Sequence, residues 1–264
     1  MPADNNTPLT LSSPYPDTSL LLFTTASLEH SPYLQSIYNL INLAFNGHPW
    51  IATAHQRLYA DTQFLKEIGP EGFIYVLIPT SPQGDSATNG TPPPIIATGS
   101  ARPYDFEEQS KIPGGRISAF MRTGHVKLET HESWEMKLLA VQPSTKGTGI
   151  GSWLVKLIEG EIARRVIASS GISNEELGKG EGEGLANGNA DEDSKGEVKE
   201  VEVLKEGDGK SGGKKVTLLI STLREQNEAF YLRRGWLTTK ATPMEKGSMG
   251  GEEGFSIVFM EKEL

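Results

Sequence analysis

Three glycines in five positions, Gly147, Gly149 and Gly151, stand where an aliphatic stretch ends and a helical pattern begins. Upstream, Glu135-Met-Lys-Leu-Leu-Ala-Val141 is short and rich in aliphatic residues, as a half-buried strand would be. Downstream, Trp153, Leu154, Leu157, Ile158 and Ile162 recur at helical spacing, while Glu159 and Arg164 fall off that stripe. A helix start leaves backbone N–H groups unpaired, and glycine lets the phosphates of a ligand approach them closely. The segment is therefore expected to be a strand–loop–helix cradle for a pyrophosphate.

Three glycine-rich cradles compete for this reading. The dinucleotide pattern G-x-G-x-x-G needs glycine at position 152, which holds Ser152, and it usually opens a domain. The P-loop pattern G-x-x-x-x-G-K-[ST] finds Gly209-Lys210-Ser211, but its first glycine falls on Leu204. The third fits. Lys146-Gly-Thr-Gly149-Ile-Gly151, after Val141-x-Pro143, resembles the acyl-CoA-binding motif [Q/R]-x-x-G-x-[G/A] of the GNAT superfamily of N-acetyltransferases. Lys146 replaces the usual Gln or Arg and keeps the positive charge of Arg. Further along, Asn227-Glu-Ala-Phe-Tyr231-Leu-Arg-Arg-Gly235-Trp236 resembles the family's later helix motif, N-x-x-x-Y-x-x-x-G-[F/W]. Two motifs in the family's order are more specific than either alone. The resemblance covers Glu135 to Trp236 with a spacer inside it.

The rest of the chain reads as strands and helices that suit this family. Residues 1–18 are polar and proline-bearing and are expected to be loose. Leu20 to Thr25 reads as a strand, 31–45 and 51–68 as helices, 73–78 and 95–101 as a strand pair. A Pro/Ser/Gly-rich loop spans 79–94, and a long polar connection spans 103–132. Lys215 to Ser221, Gln226 to Arg234 and Phe255 to Met260 read as strand, helix and strand. The resemblance implies one α/β domain over 19–264, with a mixed, mostly antiparallel central sheet flanked by helices.

Composition excludes several chemistries. The chain has no cysteine, so disulfides, thiolate zinc sites and a cysteine nucleophile are ruled out. Its five histidines show no tight ligand spacing, and no metal is expected. No apolar run approaches the ~18 residues of a membrane span, and Asp4 and prolines stand where a leader would be basic, then apolar. A soluble protein of the cytoplasm, or of the nucleus, is expected. The net charge of −9 is concentrated in residues 173–213, where twelve acidic residues face five lysines among ten glycines and no aromatic. Such a segment buries too little apolar surface to offset chain entropy and is expected to be a disordered, solvated insertion, in preference to a cation-attracting tail. With no basic stripe elsewhere, nucleic acid is not an expected partner.

Acetyl transfer sets definite demands. An amine with a pKa near ~10.4 must lose its proton, at roughly 4–5 kcal/mol near neutral pH, to a carboxylate or histidine nearby or through water. The attacked carbonyl wants a backbone N–H, and the departing thiolate a proton donor. Acetyl-CoA, the cosubstrate the resemblance implies, brings the activated acyl group.

The resemblance makes Glu135 the candidate base, with Glu132 and His131 behind it, and Tyr231 the residue that protonates or hydrogen-bonds the sulfur. Simple alternation would put Glu135, Lys137, Leu139 and Val141 on one strand face. The competing roles are an ion pair of Glu135 with Lys137, and a core tyrosine packed beside Phe230. Asn227 either contacts the cosubstrate or caps its helix, and Gly235 ends that helix.

For the cradle, the resemblance implies the N–H groups of Gly147, Thr148, Gly149, Ile150 and Gly151, with side-chain help from Lys146 or Ser152. The main chain of Leu139, Ala140 and Val141 would hold the pantetheine arm, and Val141 N–H would face the carbonyl. Phe45, His48 and Trp50, with His55 and Tyr59 near them, are candidates for the acceptor side, the alternative being the packed underside of a helix pair. Arg102, Arg116, Arg122 and His125 mark the long connection as a candidate lid.

The expected function is N-acetylation of a primary amine by direct attack in a ternary complex, a small-molecule acceptor being favoured over a protein lysine or N-terminus. The chain would act as a monomer or homodimer. The alternative is a GNAT fold that binds acyl-CoA as a sensor or scaffold without turnover.

Overall fold

The computed structural model describes residues 7–46, 56–80, 93–104, 131–169, 215–248 and 252–264. Its strands are β1 (Leu9–Ser12), β2 (Thr18–Thr24), β3 (Phe73–Pro79), β4 (Ala97–Pro103), β5 (His131–Val141), β6 (Lys215–Leu223), β7 (Leu237–Met244) and β8 (Phe255–Glu263). Its helices are α1 (Thr25–Glu29), α2 (Leu34–Asn46), α3 (Asp61–Ile68), α4 (Ile150–Ser169) and α5 (Ala229–Leu232). The strands form one sheet in the order β1-β2-β3-β4-β5-β6-β8-β7. Every neighbouring pair is antiparallel except β5 and β6, which run parallel. The expected α/β architecture, with a mixed and mostly antiparallel sheet between helices, is the one observed.

Strand alternation sorts the core into two layers. Leu20, Phe73, Tyr75, Leu77, Trp134 and Met136 pack with Leu154, Ile158 and Ile162 of α4. Leu21, Phe23, Ile74 and Val76 pack with Ile37, Leu40 and Ile41 of α2 and with Phe64 and Ile68 of α3. The sheet is therefore buried on both faces over its central strands, which explains why they read as continuous aliphatic runs.

At one point β5 breaks its own alternation. Ser100 pairs with Lys137 and Thr98 with Ala140, so two residues of β5 oppose Gly99 alone. Leu138 takes φ +53°, and a Cβ on Gly99 would come within 2.9 Å of Leu139 Cδ1. This is a β-bulge, which adds a residue to one strand and bends it. The expectation that Glu135, Lys137, Leu139 and Val141 share a face is corrected by it. Leu139 and Val141 pack on the α4 side, whereas Leu138 and Ala140 pack on the α2/α3 side.

Other differences have local causes. Leu9–Ser12, inside the segment expected to be loose, is an edge strand in register with β2, from Leu9↔Leu22 to Ser12↔Ser19. The helix expected over 51–68 is seen only as α3, and residues 47–55 lie outside the described residues. Residues 56–60 are not helical because the Asn42 side chain clamps Leu58, donating to its carbonyl (3.0 Å) and accepting from its N–H (2.9 Å). The helix expected over 226–234 is a π-helical turn, Arg224–Glu228, followed by α5. Strand β7 was not anticipated. The expected loop at 79–94, the connection at 103–132 and the acidic insertion at 173–213 fall wholly or largely outside the described residues. No described helix is long and apolar enough to cross a membrane.

Candidate functional site

The site grows from the one parallel pair. β5 and β6 pair from His131↔Lys215 to Glu135↔Leu219 and then part. Beyond that point β6 stays paired to β8 as far as Leu223↔Ile257, and β5 stays paired to β4 as far as Val141↔Ala97. The bulge at Leu138 lies in the stretch that diverges, consistent with the bend a bulge imposes. One edge of β5 from Met136 to Val141 is thus left without a strand partner. Gln142 N–H donates to Ile96 O at 2.9 Å. In an antiparallel ladder that bond turns the N–H and C=O of Val141 away from β4, toward the side β6 has left.

The cradle closes the open end of this wedge. After Val141 a 3₁₀ turn, Pro143–Thr145, leads to Lys146, whose N–H is spent on Pro143 O. Gly147 and Gly149 both have φ +89°, a left-handed conformation that favours glycine. Thr148 N–H donates to Thr145 O, and Trp153 N–H donates to Gly149 O at 3.0 Å. The N–H groups of Ile150, Gly151 and Ser152 precede that bond and have no helical carbonyl to meet. A Cβ added at Gly147 would meet no atom within 4 Å, and one at Gly151 would stand 3.7 Å from Val141 Cγ2. Main chain without side chains at 147, 149 and 151 thus lies at the positive end of α4, which suits an anion such as a diphosphate. Lys146 is exposed beside it.

Two residues absent from the sequence-derived site flank the cradle. The Arg234 guanidinium donates to Ser152 Oγ, donates to Phe230 O at 2.6 Å, and stacks 3.6 Å above the Phe230 ring centroid. Burial, and then the neighbouring Arg233 charge, hold its pKa below the usual value, and it makes no salt bridge among the described residues. Its place within the second motif was the available signal. On the other flank, a Cβ on Gly149 would stand 3.6 Å from Tyr15 Oη.

Tyr231 is 3% exposed and lies edge-on to Phe230 and Trp236, with centroids 5.0 and 5.5 Å away. Burial pushes its phenol well above the usual range, against a smaller opposing effect of Arg234. A phenol so placed stays protonated near neutral pH and can donate. Packed between Phe230 and Trp236, Tyr231 holds the position of a core tyrosine. Asn227 Nδ2 donates to Thr222 Oγ1 at 2.8 Å, tying the π-helical turn to the end of β6. Gly235, at φ +79°, follows α5, and Trp236 N–H returns to Tyr231 O.

Glu135 is the last residue of β5 paired to β6, and it is 1% exposed. Its Oε2 accepts from Arg102 Nε at 3.2 Å, and lies 3.2 Å from Arg102 Nη2 and 3.5 Å from Lys137 Nζ. Lys137 reaches Glu67 of α3 at 3.6 Å, and Glu67 pairs with Arg57 at 2.6 Å. This chain of charges runs toward α3, so Glu135 stands on the α2/α3 side of the sheet. Glu132 accepts instead from Trp134 Nε1 at 3.0 Å. Phe45 is half-buried near the end of α2, whereas His48, Trp50 and His55 lie outside the described residues, as do Arg116, Arg122 and His125. Tyr59 is exposed. Among the described residues no three His, Asp or Glu side chains could hold a metal together.

No family model matches the chain, and no curated protein matches it. Solved structures do. It is similar to the ribosomal-protein-S18-alanine N-acetyltransferase from Escherichia coli, with 10% identity, 93% of each chain covered and a TM-score of 0.44. It is similar to yncA, a putative acetyltransferase from Salmonella typhimurium solved with acetyl-CoA, with 15% identity, 94% of each chain covered and a TM-score of 0.45. A third likeness is to Arabidopsis thaliana NAA60 in complex with acetyl-CoA, with 13% identity, 88% of this chain and 93% of that chain covered and a TM-score of 0.44. At such identities and TM-scores these likenesses assign no residue a role. In its own strand order, its parted parallel pair and its two motifs, the chain resembles the GNAT N-acetyltransferases.

Proposed function

We propose that this protein is an acyl-CoA-dependent N-acetyltransferase of the GNAT type, acting on a primary amine, with small-molecule acceptors favoured. One observation carries the reading. The parallel pair β5–β6 opens just past Glu135, and the freed edge of β5 runs directly into a glycine cradle at the start of α4. A long ligand with a diphosphate at one end and an extended amide arm at the other fits both parts.

In this reading the N–H groups of Gly147 and Gly149 to Ser152 hold the diphosphate, with Lys146 and Arg234 adding charge. The edge of Leu139, Ala140 and Val141 hydrogen-bonds the pantetheine arm, and Val141 N–H steadies the carbonyl oxygen as negative charge develops on it. Bound acetyl-CoA supplies a thioester that an amine attacks directly. Glu135 accepts the amine's proton, directly or through water, from the α2/α3 side; Phe45, His48 and Trp50 are the proposed contacts of the acceptor. Arg102 and Lys137 fix the carboxylate. Tyr231 donates to the departing sulfur.

The test is CoA-thiol release from acetyl-CoA with a panel of amines, polyamines, amino acids and peptides, beside a direct titration of CoA. Release above the no-amine background supports the transferase. A second reading, an acyl-CoA-binding sensor without turnover, is favoured by the engagement of Glu135 with two cations. Tight CoA binding with no release for any amine would select it. No CoA binding at all would sink both.

A further inference from the structure

We infer that Tyr15, on the turn between β1 and β2, is a cosubstrate-binding residue whose phenol closes the diphosphate cradle from the N-terminal side. The inference rests on the acyl-CoA reading above. Tyr15 lies far from both motifs in the sequence, but the fold brings it to the same end of the sheet. β5 finishes there, and the β1–β2 turn lies at the matching end of the antiparallel ladder. The Tyr15 ring meets Trp153 of α4 edge-on, with centroids 5.4 Å apart, one turn into the helix. Its hydroxyl then lies at ordinary contact distance, 3.6 Å, from where a Gly149 side chain would begin. Among the described residues no hydrogen bond engages that hydroxyl, whereas the backbone of the turn is well tied. Burial raises the phenol's pKa, so it stays a donor at neutral pH.

The turn is built to hold this ring still. Pro14 and Pro16 flank Tyr15 and restrict the backbone on either side. Thr18 Oγ1 donates to Tyr15 O at 2.8 Å and lies 2.7 Å from Ser13 Oγ, which accepts from Tyr15 N–H at 3.2 Å. Asp17, at φ +55°, offers its carbonyl to Thr80 N–H at 2.8 Å. A side chain fixed by its backbone and by Trp153, with its polar tip unspent at an anion cradle, is preorganised to donate to a phosphate oxygen. The short edge strand β1 thereby gains a task, since its pairing with β2 sets the position of the turn.

The test compares the full chain with Tyr15→Phe and Gly149→Asp by calorimetric titration of CoA and by thermal unfolding without ligand. Phenylalanine keeps the ring on Trp153 and removes only the hydroxyl. A hydrogen bond to a charged oxygen predicts CoA affinity lower by roughly tenfold or more for Tyr15→Phe, with the ligand-free unfolding temperature unchanged. Affinity within twofold of wild type, while Gly149→Asp loses CoA, overturns the role of Tyr15 and leaves the cradle standing. Unfolding of ligand-free Tyr15→Phe several degrees early also overturns it, because the hydroxyl would then be structural. A wild-type chain that ignores CoA overturns the inference together with the acyl-CoA reading.

Discussion

Gly149→Asp separates the cradle's chemistry from its architecture. A Cβ at φ +89° incurs left-handed strain of about 1–2 kcal/mol. Nothing else opposes the side chain, since its Cβ would meet only Tyr15 Oη, at 3.6 Å. The new carboxylate also sits just before Ile150, where Asp caps a helix and complements its positive end, returning roughly 0.5–1 kcal/mol. The unliganded fold should therefore lose about 1 kcal/mol, a shift of roughly 2–4 °C in a chain of this size. Binding fares differently. A carboxylate about 4 Å from a phosphate charge is opposed by about 4 kcal/mol at an effective dielectric of 20. It also occupies N–H donors that the ligand needs. CoA affinity should fall about a thousandfold or more. Gly149→Ala carries the strain without the charge and should lose far less. Calorimetric titration with CoA, beside thermal unfolding with and without it, reads both quantities. Gly149→Asp protein that binds CoA within threefold of wild type would show that no diphosphate lies against α4.

Tyr231→Phe should lower kcat by about 10–100-fold while CoA affinity stays near wild type; an unchanged kcat would return the phenol to a packing role. Glu135→Gln should lower kcat/KM by about a hundredfold. It should also lower the unfolding temperature, because Arg102 and Lys137 lose their shared carboxylate; a loss of stability alone would mark Glu135 as structural. At high pH, buried phenols tie stability to protonation. Tyr75 is pushed up to about 12 by burial and then by Glu161, and Tyr231 is raised by burial. Below the ordinary phenol range both states hold these protons and nothing changes. Above about pH 10 the unfolded chain releases them and the folded chain does not, so stability falls by about 1.4 kcal/mol per pH unit for each such phenol. Ultraviolet titration should show these two tyrosines ionising late and together with unfolding; ionisation of all seven in one step near pH 10 would contradict their burial.

The elements legible in the sequence are those whose pattern follows from burial. The central strands read as aliphatic runs because both of their faces are covered, and α4 shows its stripe because one side packs on the sheet. The cradle was legible because positive-φ glycines at a helix start leave a spacing that few other structures demand. The edge strands were not. Leu9–Ser12 is four residues long, and β7 carries Thr, Lys and a proline, the residues that edges tolerate and that resemble loop composition. The bulge in β5 leaves little mark in the sequence because Leu138 shows no preference for φ +53°; only Gly99 across the ladder hints at it. Tyr15 comes beside the cradle through tertiary folding, which no local spacing encodes, whereas Arg234 is marked only by its place in the second motif. The engagement of Glu135 with Arg102 likewise follows from the β4–β5 register, Arg102↔Glu135.

Where the acidic segment is attached bears on how the chain tolerates it. Helix α4 begins at the cradle and runs twenty residues to Ser169, about 30 Å at helical rise. β6 then starts at Lys215, level with the first residue of β5. Both anchor points thus belong to the far pole of the molecule, away from the glycine bend. Genetic shortening or lengthening between these anchors should be nearly silent in turnover, leaving that pole free to change in charge and size while the business end is kept.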